Sequence, residues 1–398
     1  MKAIFCLLTG LCDRTLRDLG GLTPLQKAKT ENLDLLCAHS EIWALKSPEA
    51  GRREDSLMAL LGGESTNTRI PLAPLELYAA GGKLKEEEVT YCLRFISIGE
   101  GVVIDVSDAL TNESECRVLC AELNQSLGPK GFRFQHLGAS RALLIGSAST
   151  LHEHLSEPTI NPIQCLGRKW RELPSYKGEE EWQSLLEEVA THLSLHEINE
   201  LRLDLEEDPI NAILPFEGGK KPDLEIGLKG WAPEQILVYP SSHSIRGLSR
   251  LLKINTWELG LEKKKYAHID HILENLDEQL SKHDLIILDL PYLWASTYKG
   301  DLLEKVKSIE WLDRNFIGLL NKYCARNDIT LVLNPLMPTD IHEGDVQSGE
   351  VPAMVFNGFK EEYTPRSFDE RILASADYRM DLNIFTDAVA GLFAQNRV

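Results

Sequence analysis

Residues 285–290 read Leu285-Ile286-Ile287-Leu288-Asp289-Leu290, an apolar run carrying one carboxylate near its end. Polar Lys282-His283-Asp284 precedes it and Pro291 follows it. A strand with one wet face alternates apolar and polar residues, and this one does not, so it is covered on both faces. Residues 3–8 and 329–333 match the same pattern. Segments of helical period lie between such runs. Residues 301–320 place Leu302, Leu303, Val306, Ile309, Leu312, Phe316, Leu319 and Leu320 along one stripe, and residues 266–280 do so with Ile269, Ile272, Leu273, Leu276 and Leu280. Buried strands alternating with amphipathic helices predict a layered α/β fold around a mostly parallel sheet. Functional groups in such sheets collect beyond the strand C-termini, which here means residues 9–13, 289–298 and 334–346.

The middle of the chain follows a different rhythm. Charged stretches alternate with short strand-like pieces at 89–97, 102–106 and 142–145, and with helical pieces at 115–125 and 182–195. This predicts a second, smaller α/β domain at 83–208, inserted between the two parts of the first at 1–82 and 209–398. A length of 398 residues suits two domains. With 61 acidic against 42 basic residues the net charge is −19, and no long basic run exists, which argues against a nucleic-acid partner. No apolar stretch approaches the roughly 18 residues that would suggest a membrane span. The first apolar run is too short for a signal peptide and reads as a strand. Eight cysteines without C-x-x-C spacing argue against a structural zinc site or a disulfide framework and suit a reducing cytoplasm.

Generic motifs add little. His192 and His196 are one helical turn apart, but Leu193 stands where a zinc protease needs its glutamate, so they read as a surface helix pair. His268, Asp270 and His271 do not share one helix face, and Lys263 to Lys265 would repel a cation. His152 and His154 flank Glu153 with no sign of a ligand role. The paired glycines fit neither a P-loop nor a dinucleotide fingerprint, and no G-x-S-x-G is present.

A specific resemblance runs along nearly the whole chain. Residues 10–36, which include Asp13-Arg14 and Leu19-Gly20-Gly21-Leu22-Thr23-Pro24-Leu25, resemble the opening of the archaeal-type cofactor-independent phosphoglycerate mutases, close to G-D-G-M-G-D-R-P followed by L-G-G-K-T-P-L-E. Residues 57–62 resemble that family's L-x-L-L-G turn and residues 74–81 its P-L-E-A-Y-G-x-G. Ser140-Arg141-Ala142 sits at its Y-R-A or H-R-A triplet, and residues 213–224 resemble its W-x-W-G-x-G-K-x-P-x-L. The resemblance implies an alkaline-phosphatase-like core with an inserted cap. It also implies interconversion of 2- and 3-phosphoglycerate, an isomerase step of glycolysis, by a serine nucleophile and two divalent ions, manganese or zinc, on Asp and His ligands. Such ions lower the nucleophile's pKa and neutralise the in-line transition state.

Aligned position by position, the catalytic groups are replaced. Thr9 stands for the first metal aspartate, Arg53 for the nucleophilic serine and Glu54 for its neighbouring aspartate. Trp294 and Tyr298 stand for a metal aspartate and histidine. The later D-H pair falls on residues 334–336, and the family's R-R-A-G-R on 106–110, which hold no arginine. Arg141 and Arg246 match family arginines. The leading expectation is therefore a degenerate, non-catalytic member without metal, binding a small anionic ligand through Arg53 and Arg141 or serving a protein partner. The alternative is an active, metal-dependent mutase or related phosphotransferase with rearranged ligands Asp13, Asp289, Asp340, His342 and Asp345.

Overall fold

The computed structural model describes residues 2–395 apart from 50–51, 64–68, 108–109, 139, 152–161, 259–265 and 291. His152, Glu153, His154 and Lys263 to Lys265 thus lie outside the described residues. The chain divides into two compact units, one of residues 1–70 with 224–398 and one of residues 71–223.

The first unit is built on eight strands in the order Tyr378–Asp381, Glu41–Lys46, Glu350–Phe356, Thr330–Asn334, Ala3–Leu7, Leu285–Asp289, Ile236–Tyr239 and Asn255–Thr256. From Thr330–Asn334 to Asn255–Thr256 the strands run parallel, and Glu350–Phe356 is antiparallel to both its neighbours. All three apolar runs of the sequence are thus central strands of a largely parallel sheet. Ile4, Cys6, Leu288, Leu331 and Leu333 point into one apolar layer, against Leu33, Leu36, Ile272, Leu276 and Phe316. Strand side chains alternate between faces, so Phe5, Leu7, Asp289 and Asn334 point to the other side. There Phe5 meets Trp231 and Phe385, with ring centroids 6.3 and 6.2 Å away. Burying each such leucine or phenylalanine contributes about 1.5–3 kcal/mol.

The stripe at 301–320 is helical, but not one regular helix. Leu302–Leu312 passes through a π-helical turn at Asp313–Ile317 into Gly318–Arg326. The stripe at 266–280 is the helix Ala267–Lys282.

The second unit carries an antiparallel sheet ordered Val102–Asp105, Glu88–Gly99, Arg141–Ser147 and Arg133–Gly138, with Ala212–Gly219 also paired to Glu88–Gly99. Helices Glu113–Leu127 and Glu180–Ser194 supply Leu119, Leu123, Leu185 and Val189 to its core. The unit boundaries differ from the expected joints at 82/83 and 208/209. Helix Leu72–Ala79 packs Ala73 and Leu77 on Cys92, Leu143 and Ile145, and Ala212–Gly219 is a strand of the same sheet, so both belong to this unit.

Among the described residues no helix is long and apolar enough to cross a membrane. All eight cysteines are free and buried. His192 and His196 are no surface pair. The helix ends at Ser194, and buried His196 caps the next one, its Nδ1 accepting from Ile198 N at 3.0 Å.

Candidate functional site at the strand C-termini

Leu7 lies in register between Asp289 and Asn334, so two polar side chains flank the end of the central strand on one face of the sheet. Thr9 follows two residues on. Its hydroxyl and the Asn334 side-chain nitrogen are wholly buried and have no hydrogen-bond partner. Gly10 has φ +97°, and a Cβ on it would stand 2.7 Å from the Leu293 carbonyl carbon and 2.8 Å from Trp294 N. Only glycine lets this turn approach the backbone of Leu293 and Trp294 so closely.

Arg53 begins the helix Arg53–Leu60. Its Nη1 donates to Ser241 Oγ at 2.8 Å and lies 4.0 Å from Asp289 Oδ1. Ser241 in turn donates its backbone N–H, at 3.1 Å, and its hydroxyl to Asp289 Oδ2. The guanidinium is 6.0 Å from the centre of the Trp294 ring, and Trp294 is 6.2 Å from Tyr298 on the same short helix, Tyr292–Tyr298. Thr9, Arg53, Trp294 and Tyr298 are therefore brought to one end of the sheet. Tyr298 is the outermost, half exposed. Glu54, beside Arg53, accepts from Ser244 Oγ at 2.5 Å.

Asp13 and Asp340 form a second acidic group in the same unit. Thr339 bridges to Asp13, and Ile341 N points at Asp13 Oδ1 from 3.4 Å. Lys305 reaches Asp13 Oδ2 at 2.5 Å and Thr339 Oγ1 at 3.1 Å, with both charged side chains fully enclosed. Burial lowers the Lys305 pKa, against the opposing pull of Asp13. Asp340 pairs with Arg14 at 2.6 Å and accepts from the N–H groups of His342 and Glu343. His342 and Asp345 are exposed. Each of the three buried aspartates proposed as rearranged ligands already carries a basic side chain: Asp13 with Lys305, Asp340 with Arg14, Asp289 with Arg53.

This donor set does not fit paired divalent ions. Such ions take several oxygen and nitrogen ligands each. Among the described residues, no group of three or more His, Cys, Asp or Glu side chains is arranged to hold a metal ion. A divalent ion 4 Å from the Arg53 guanidinium would be repelled by roughly 8 kcal/mol at an effective dielectric constant of 20.

Two further acids bear on the site. Asp55 is buried, accepts from Ile70 N at 3.0 Å through Oδ1, and leaves Oδ2 without a partner. Burial pushes its pKa up to about 6. Tyr239, at the end of its strand, is pushed up to about 12, first by burial and then by Asp289. Arg141 belongs to the other unit, where Nη1 lies 2.8 Å from Glu76 Oε2. Arg246 pairs with Glu258 at 3.2 Å.

Sequence reasoning missed Lys305, Ser241 and Ser244. The serines follow a central strand, Ile236–Tyr239, and recognising that four-residue apolar run would have directed attention to its C-terminal loop. Lys305 gave no signal, because a lysine in an amphipathic helix ordinarily lies in water.

Comparison with known proteins supports the resemblance. Residues 54–199 match the family model described as 2,3-bisphosphoglycerate-independent phosphoglycerate mutase. A protein of that name from Methanopyrus kandleri is 24% identical over 380 residues, covering 91% of this chain and 89% of the relative. One from Methanosarcina barkeri is 25% identical over 396 residues, covering 93% and 94%. Among solved structures, the PH0037 protein from Pyrococcus horikoshii superposes with a TM-score of 0.74 at 16% identity, over 100% of this chain and 98% of its own. The cofactor-independent phosphoglycerate mutase of Thermoplasma acidophilum gives 0.61 at 22%, over 98% and 100%.

Proposed function

For a chain related to the archaeal-type cofactor-independent phosphoglycerate mutases, we propose a role as a non-catalytic, phosphoglycerate-mutase-like binding or regulatory module. The observation that carries this reading is the set of built-in cations. Lys305, Arg14 and Arg53 occupy the acids that would otherwise draw metal ions. Phosphoryl transfer in this class requires an activated nucleophile and ions that neutralise the transition state. Arg53 is no nucleophile. Ser56, one helical turn further on, is fully buried and has no base against its hydroxyl.

The same chemistry supports binding of a small anionic ligand. The Arg53 side chain is mostly out of water at the strand end that also carries Thr9 and Asn334, where Thr9 Oγ1 and Asn334 Nδ2 are buried without a protein partner. Guanidinium forks suit carboxylate and phosphate oxygens. The alternative occupant is a protein partner laid over Trp294 and Tyr298. Eight free, buried cysteines support a reducing, cytoplasmic setting.

Elemental analysis of the purified protein, with a coupled assay for conversion of 3-phosphoglycerate to 2-phosphoglycerate in added manganese or zinc, tests the proposal. The expected result is substoichiometric metal and no turnover above buffer. Two tightly held equivalents, with turnover abolished by a chelator, would establish the rearranged-ligand mutase instead.

A further inference from the structure

The helix Glu197–Asp204 in the second unit is inside out. A helix on a globular core turns its apolar stripe inward, yet here the two buried positions, Asn199 and Arg202, are polar and only Ile198 packs an apolar side chain on the core. Asn199 Nδ2 donates to the carbonyls of Leu193 and Ile210 at 2.6 and 2.7 Å, and its Oδ1 accepts from Ile210 N at 2.7 Å. Arg202, only 8% exposed, donates to Asp208 O at 2.8 Å and to Glu115 at 2.7 Å. His196 caps the first turn and lies 2.8 Å from Glu122. The leucines face water instead: Leu195 is 77% exposed, Leu201 61%, and Leu203 and Leu205 62% each.

These leucines have a rigid base. Buried hydrogen bonds hold both ends of the helix, and Glu207 N closes its last turn on Arg202 O at 2.8 Å. Leu195, just before the helix, instead lines a groove of about 650 Å³ of mixed character, in which Ile98, Trp170 and Ala190 stand beside Lys169, Arg171 and Glu187. Large apolar groups clustered in water mark interaction sites.

The surrounding charge selects the partner. Glu197, Glu200, Asp204, Glu206, Glu207 and Asp208 are all exposed, and the segment's one basic residue, Arg202, is turned inward and paired. A second copy docking through this face would set these carboxylates against themselves, since a two-fold interface apposes identical patches. An anionic membrane would be repelled likewise. We infer that the face carrying Leu201 and Leu205, one helical turn apart with Leu205 N donating to Leu201 O, docks a protein partner through a basic amphipathic helix, its apolar side chains against these leucines and its lysines or arginines against the acidic residues around them. Helix-in-groove recognition works this way, and complementary charge supplies orientation and rate. The inference does not depend on the strand-end site.

Fluorescence anisotropy on the full chain tests it with two labelled 18-residue probes, an amphipathic Leu/Lys helix and its Leu/Glu counterpart. The Leu/Lys probe should bind, more weakly as salt rises, and the Leu/Glu probe should not. The Leu201→Ser/Leu205→Ser variant should bind at least tenfold more weakly with an unchanged circular dichroism spectrum. So should Glu200→Lys/Asp204→Lys, which keeps the leucines. Leu303→Ser, an exposed leucine of the first unit, serves as control and should bind as the parent does. Equal affinity across all variants would overturn the inference, as would sedimentation showing a dimer that the leucine substitutions dissociate.

Discussion

At the scale of single residues, the decisive feature is where positive charge has been placed. Lys305 and Asp13 are buried as a pair, and removing one member of such a pair typically costs 3–5 kcal/mol, because the other charge stays in the interior. Lys305→Met should lower unfolding free energy by about that much in urea titrations at pH 7. Adding Asp13→Asn should recover a large part. A Lys305→Met loss below about 1 kcal/mol would mean that Asp13 is already satisfied by the hydroxyl and N–H donors around it. Asp55 sets a pH dependence of known sign. Its folded value of about 6 lies above the ordinary 3.8, so the neutral carboxyl favours the fold. That contribution is complete below about pH 4 and lost as pH rises through 6, amounting to roughly 3 kcal/mol. Relative to Asp55→Asn, the parent should therefore lose stability between pH 4 and 7, and parallel pH profiles for the two would count against it. Part of this was legible in the sequence. Thr9, Arg53, Trp294 and Tyr298 could be placed by alignment with a known motif, whereas the acid–base pairings, which join residues more than 200 positions apart, had no local signature.

At the scale of elements, buried strands were the most legible feature, since an unbroken apolar run too short for a helix and bounded by turns fits only a strand covered on both faces. Helix existence was legible and helix regularity was not. The stripe at 301–320 gives no hint of the π turn at Asp313–Ile317, whose function is visible only in three dimensions. Asp313, buried in that turn, accepts from Leu33 N at 2.7 Å, Asn32 N at 3.2 Å and Asn32 Nδ2 at 3.0 Å, thereby capping the helix Glu31–His39 from outside. Thr30, the helix's own cap position, makes no side-chain cap bond. Asp313→Ala should thus cost about 2 kcal/mol, the upper range for a lost cap. Thr30→Ala should cost a few tenths at most. Urea titration of both variants distinguishes this from an ordinary local cap, for which the order would be reversed. The helix Glu197–Asp204 was equally illegible, because nothing in its sequence marks that Asn199 and Arg202 are buried while its leucines face water.

At the scale of the whole molecule, the pairing of the strand-end acids with side-chain cations predicts how stability responds to metals. An ion bound only by the folded state adds RT ln(1 + [L]/Kd), about 2.7 kcal/mol per site at a hundredfold excess over Kd. A chain organised around two such ions would therefore melt several degrees higher in manganese and lose that gain in a chelator. In this chain Lys305, Arg14 and Arg53 are covalently part of the fold and supply their charge at every metal concentration. Melting of the first unit, followed by calorimetry so that its transition can be told from that of residues 71–223, should shift by less than about 1 °C between excess chelator and millimolar manganese or zinc. The Arg53→Ser variant sharpens the comparison. It places a hydroxyl where the guanidinium stood and leaves Asp289 with Ser241 alone, so its melting temperature should fall and, unlike the parent's, should rise again with added manganese. If the parent itself gains several degrees from metal, its acids are binding ions despite their basic partners, and the built-in cations cannot be what holds the strand ends together.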